Sequence, residues 1–100
     1  MHIEQCNLAD TPYSHAAGIK TLPRGTVITV TQVNGEYVTF FNIINHGKRW
    51  ECEPLHFAYT DDLVEMWTDF GSYPTTRSIA ALIRSKRTVA VQVITPEVSG

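Results

Sequence analysis

The sequence predicts a small, mainly β domain of the α+β class: an antiparallel β-barrel with one or two short helices and a C-terminal strand. Three observations predict it. Residues 26–33, TVITVTQV, alternate β-branched apolar and polar side chains, a pattern that suits a pleated, half-buried surface. Asn34-Gly35 follows at once and leads into a second apolar run, the strongest short-range hairpin signal. Near the C-terminus, Ile79, Leu82 and Ile83 fall at helical spacing, and a further valine-rich run, TVAVQVIT, comes after them.

Taken in order, residues 1–6 read as a short edge strand, and residues 7–24, with their Asn, Asp, Pro, Ser and Gly, as a long loop. In the first strand, Ile28 and Val30 face one side and Thr29 and Thr31 the other. Asn34 and Gly35 supply the two positive-φ residues of a type I′ turn. Residues 36–44 return as a strand with apolar residues on both faces, and therefore as an interior strand. Asn45-His46-Gly47-Lys48 is the next turn. Residues 49–53, RWECE, form a third strand with Trp50 and Cys52 inward and Arg49, Glu51 and Glu53 outward; Pro54 ends it. Leu55-His56-Phe57 reads as a 3₁₀ turn and Ala58-Tyr59 as a closing strand.

Residues 60–70 read as a helix. Thr60 is its cap, Asp61 and Asp62 suit the positive end of its dipole, and Leu63, Met66, Trp67 and Phe70 form one apolar face. Gly71 stops it. A strand over the same residues is the rival reading. Thr76 caps a second helix over 77–85, and residues 88–96 form the final strand, with Val89, Val91 and Val93 facing one way and Pro96 ending it.

One hundred residues suit a single domain over 1–100, with 22–59 as the barrel core and 60–96 as the helical segment and final strand. No apolar run reaches the roughly 18 residues of a membrane helix, and the N-terminus lacks the basic start and apolar stretch of a secretory signal. The expected location is cytoplasmic, with Cys6 and Cys52 as reduced thiols.

The formal net charge of −2 conceals a division. Residues 51–70 hold Glu51, Glu53, Asp61, Asp62, Glu65 and Asp69 with no Lys or Arg, whereas residues 71–100 hold Arg77, Arg84, Lys86 and Arg87 against Glu97. Such asymmetry bears on partners.

Leu22-Pro23-Arg24-Gly25-Thr26-Val27 and the run from Trp50 to Phe57 resemble, respectively, the opening strand and the closing strand and turn of SH3-like barrels. The resemblance covers about residues 20–60. It implies a fold and no activity, because modules of this group bind peptides, nucleic acids and proteins alike.

Catalytic motifs are missing: the chain has no GxSxG, no HExxH, no phosphate-cradling glycine loop and no dinucleotide fingerprint. Cys52 and His56, in CEPLH, are not at zinc-ligand spacing, and His2, Cys6, His15 and His46 do not complete a set. Glu51 and Glu53 flank Cys52 and disfavour a thiolate nucleophile there. The expectation is a non-enzymatic interaction module with no cofactor and no metal, of the kind a phage or mobile element makes to inhibit or modulate a host protein. Its partner is a protein with a basic surface, contacted through Glu51, Glu53, Asp61, Asp62, Glu65 and Asp69, with Tyr59 and Tyr73 as anchors. A second copy of the chain is another candidate partner. The alternative is a nucleic-acid binder using Arg77, Arg84, Lys86 and Arg87, against which stands a pI of about 6.0.

Overall fold

The computed structural model describes residues 2–5, 11–60 and 63–96. Its elements are β1 (His2–Gln5), a 3₁₀ turn (Pro12–Ser14), α1 (Ala16–Ile19), β2 (Val27–Asn34), β3 (Tyr37–Asn45), β4 (Trp50–Tyr59), β5 (Val64–Thr68), α2 (Thr76–Arg84) and β6 (Thr88–Thr95). The six strands form one antiparallel sheet in the order β1-β6-β2-β3-β4-β5. Among the described residues the sheet is open, with β1 and β5 as its edges. β1 occupies the edge position expected of it, beside β6.

The core lies between one end of the sheet and the helices. Ile28, Val30, Ile43, Cys52, Val91 and Val93 point to one face, and Ile79, Ala80 and Ile83 of α2 close over them with Ile19. Thr75, one residue before the expected Thr76, caps α2: its Oγ1 accepts from the Ser78 N–H at 3.1 Å and lies 3.0 Å from the Ser78 hydroxyl. Part of the expected loop over 7–24 is instead folded back as the 3₁₀ turn and α1. A Cβ at Gly18 would meet the Pro12 carbonyl oxygen at 2.1 Å, so only glycine allows this approach.

β2 alternates as its sequence predicts, with Ile28 and Val30 buried, and β3 is interior. The hairpin between them is shifted by one residue. Asn34 pairs with Tyr37, so the two turn residues are Gly35 and Glu36. Gly35 has φ of +62° and neither Asn34 nor Glu36 has a positive φ, which fits the type II′ pattern, glycine first, rather than I′, which needs a positive φ at both central residues.

β6 contains a bulge. Thr31 pairs with Ala90 but Gln32 with Thr88, leaving Val89 unpaired. Val89 therefore does not share a face with Val91 and Val93: it is exposed and Thr88 is buried in its place. The Thr88 hydroxyl donates to the Leu82 carbonyl at 2.7 Å and accepts from Gln32 Nε2 at 3.2 Å, so its burial leaves it satisfied.

The largest departures lie in 50–70. β4 does not stop at Pro54 but runs ten residues to Tyr59, and the segment after it is β5, not a helix. Pro54 fits because of ladder parity. Cys52 exchanges both main-chain hydrogen bonds with Ser72, at 2.8 and 3.1 Å, on the side away from β3. Pro54, two residues on, turns its nitrogen the same way. There the partner strand is interrupted, since β5 ends at Thr68 and the Ser72 bridge stands alone. The missing N–H is thus one that no neighbour needs. Leu63, just before β5, and Val64, Met66 and Trp67 within it are all exposed, and Phe70 after it is 99% exposed. The apolar helix face expected of Leu63, Met66, Trp67 and Phe70 does not form.

Candidate functional site

The break at Pro54 makes a cleft. Between Thr68 and Ser72 the chain leaves the ladder, and the detour with β4 encloses about 420 Å³ lined by Glu51, Glu53, Pro54, Thr68, Asp69, Gly71 and Tyr73. Four of the residues picked out by charge and aromaticity in the sequence, Glu51, Glu53, Asp69 and Tyr73, meet here. Glu51 lies 3.2 Å from His46 Nε2. The Arg49 guanidinium sits over the ring of Tyr73, another lining residue, at 4.0 Å from the centroid. Phe70, in the middle of the detour and next to Asp69 in the chain, stands in solvent.

The structure does not bring the other predicted contacts to this cleft. Tyr59 lies six residues beyond Glu53 on β4, about 20 Å along the strand, and Glu65 pairs with Ala58 near it. Both are exposed. Asp61 and Asp62 lie outside the described residues.

Between the two groups is a cluster that charge and motif reasoning missed. His56 Nδ1 is 2.9 Å from the Thr39 hydroxyl and its Nε2 is 2.7 Å from Asp69 Oδ2. Trp67 stacks on the imidazole at 5.5 Å between centroids, and Tyr37 meets Trp67 edge-on at 6.3 Å. These contacts fix Asp69 at the cleft rim. A hydroxyl, an imidazole and a carboxylate in line can also pass a proton. Treating 50–68 as one hairpin would have placed Trp67 beside His56, since the two are directly opposed.

The Cys52 thiol is buried, and its pKa is pushed above the ordinary thiol range, first by burial and then by the charge of Glu53. Both causes hold it as the neutral thiol. Cys6 lies outside the described residues. Among the described residues no three His, Cys, Asp or Glu side chains group to hold a metal, and no helix is long and apolar enough to cross a membrane.

The basic residues are dispersed. Arg77 is exposed at the start of α2 and Arg84 closes its last turn, about 10 Å away along the axis. Arg84 Nη1 donates to the Ser14 carbonyl, which ties α2 to the 3₁₀ turn. Arg84 and Lys86 line a second cleft of about 530 Å³ with Ser14, His15, Ile83, Ser85 and Thr88. Arg87 is exposed in the turn before β6.

No protein-family description matches this chain, and neither does any curated protein or solved structure.

Proposed function

We propose that the chain is a non-enzymatic protein-binding module whose acidic β4–β5 surface docks on a basic surface of a partner protein and blocks or recruits it. The observation that carries this reading is the cleft at Pro54, which Glu51, Glu53 and Asp69 line together, with the exposed Phe70 next to Asp69 in the chain. Concave charge of one sign steers a partner of opposite sign, and an exposed aromatic beside it supplies apolar contact area. The SH3-like barrel belongs to this reading as the architecture of 22–59, in which β2, β3 and β4 form a continuous meander. A cytoplasmic setting and an origin in a phage or mobile element belong to it as well.

The test is a triple reversal, Glu51→Lys, Glu53→Lys and Asp69→Lys, in affinity capture from a host lysate read by mass spectrometry. Partner capture disappears while circular dichroism is unchanged. Equal capture by the triple variant refutes the reading. The second reading, nucleic-acid binding at the C-terminal end of α2, draws on Arg84 and Lys86 at the second cleft. A mobility shift at low and high salt decides it, because phosphate contacts weaken steeply with salt; no shift at low salt disposes of it.

A further inference from the structure

β5 ends the sheet, and all five of its residues are exposed. An edge strand presents unpaired N–H and C=O groups, a template for another strand. The ladder shows which groups are free among the described residues. The Thr60 N–H donates to the Leu63 carbonyl at 2.9 Å, and the Tyr59 N–H goes the other way, to the Glu36 carbonyl in the turn before β3, at 3.0 Å. By the alternation of an antiparallel pair, Glu65 and Trp67 use their main-chain groups on Ala58 and His56. Val64, Met66 and Thr68 turn theirs to the open edge.

The two faces flanking that edge differ in chemistry. On one, Glu65 and Trp67 stand side by side along the strand, with Asp69 just beyond. On the other, Val64 and Met66 extend an apolar surface built by Tyr59 and Phe57, their direct partners, and by Phe40, whose ring meets that of Phe57 at 5.5 Å.

We propose that β5 accepts an extended basic segment of a partner protein as a seventh strand. The segment carries Lys or Arg at every second position on the Glu65 and Trp67 side and apolar residues between them over Val64 and Met66. Charge selects this occupant. Residues 63–70 contain the carboxylates of Glu65 and Asp69 and no Lys or Arg, so a second copy of the chain would bring like charges to the seam. A lysine or arginine instead meets a carboxylate and an indole. This inference rests on the reading of the β4–β5 surface as a protein-docking face.

The probe is a labelled, acetylated heptapeptide alternating Lys and Val, measured by fluorescence anisotropy with the full chain. Compared with it are a peptide of the same composition with its lysines in one block, and two peptides N-methylated on one or the other set of alternate amides. The alternating peptide binds at least tenfold more tightly than the block peptide. One methylated set loses at least tenfold and the other stays within about twofold. Met66→Pro removes an outward N–H and leaves the β4 ladder intact, and it also loses at least tenfold; the methylated peptides give the same answer on the unaltered chain. Equal binding by all four peptides overturns strand addition and leaves charge-driven docking in place. No binding by the alternating peptide, with capture by the unaltered chain still abolished in the triple reversal, overturns strand addition alone.

Discussion

Replacing Asn45 with alanine tests how the chain is led into the sheet. Asn45 is the last residue of β3 and is 8% exposed. Its Nδ2 donates to the Leu22 carbonyl at 3.1 Å and the Pro23 carbonyl at 3.2 Å, and its Oδ1 accepts from the Gly47 N–H at 2.8 Å. One side chain thus joins the segment before β2 to the turn after β3. Alanine removes all three bonds and orphans the Leu22 carbonyl and the Gly47 N–H, while the Pro23 carbonyl keeps the Thr26 N–H at 3.2 Å. A net hydrogen bond is worth about 1 kcal/mol, and more where the orphaned group stays buried. Leu22 is buried, whereas Pro23 and Gly47 are exposed and regain water. The cost is therefore about 2 kcal/mol, which lowers the thermal midpoint of a domain this size by about 10 °C. Urea unfolding with the m-value held constant measures it. Asn45→Asp sharpens the test, because a carboxylate there faces two carbonyl oxygens. The folded state then holds the aspartyl proton more tightly than the unfolded one, so stability rises as pH falls through the carboxylate range and is lost as pH rises. A cost below about 0.5 kcal/mol for Asn45→Ala, or an Asn45→Asp variant as stable as the parent at neutral pH, refutes the reasoning.

Two further outcomes follow from single buried groups. Thr26 is wholly buried, and its hydroxyl has no partner among the described residues; Thr26→Val keeps the shape and removes the unpaired polar atom, so urea unfolding shows a gain of about 1 kcal/mol, and a loss of that size contradicts the account. In a Cys6→Ser background, Cys52 reacts slowly with a maleimide when folded and rapidly in denaturant. Its raised pKa means that stability is full below the ordinary thiol pKa and is lost as pH rises through and beyond it, since the unfolded thiol ionises first.

What the sequence made legible was local. The alternation in 26–33 and the apolar stripe at Ile79 and Ile83 each depend on residues close together in the chain and appear where expected, and the turn expected at 45–48 comes one residue later, after Asn45 closes β3. The misread elements depend on a neighbouring strand. Pro54 breaks a strand only if its nitrogen faces a donor-hungry partner, and parity points it into a gap. Val89 belongs to the valine face by counting, but the bulge opposite Thr31 and Gln32 takes it out. Residues 63–70 present apolar groups at both helical and strand spacing; pairing with β4 decides for the strand. Part of the site was legible for a simpler reason: Glu51 and Glu53 alternate with the inward Trp50 and Cys52, so their outward direction follows from period two. The joining of Asp69 and Tyr73 to them follows only from the detour.

The division of the sheet bears on why docking residues lie where they do. Among the described residues, helices cover only the end built on Ile28, Ile43 and Val93, where side chains are fully buried. Beyond it, β3, β4 and β5 are held by cross-strand pairs such as Phe40 with Phe57 and His56 with Trp67, each worth about 0.2–1 kcal/mol. A surface held this way keeps its aromatic groups half in water, and burying them is favourable at about 25 cal/mol per Å² of apolar area. On the proposed reading, the carboxylates at Glu51, Glu53 and Asp69 choose the partner. The exposed area of Met66, Trp67 and Phe70 then supplies the affinity that this chain leaves unspent on its own core.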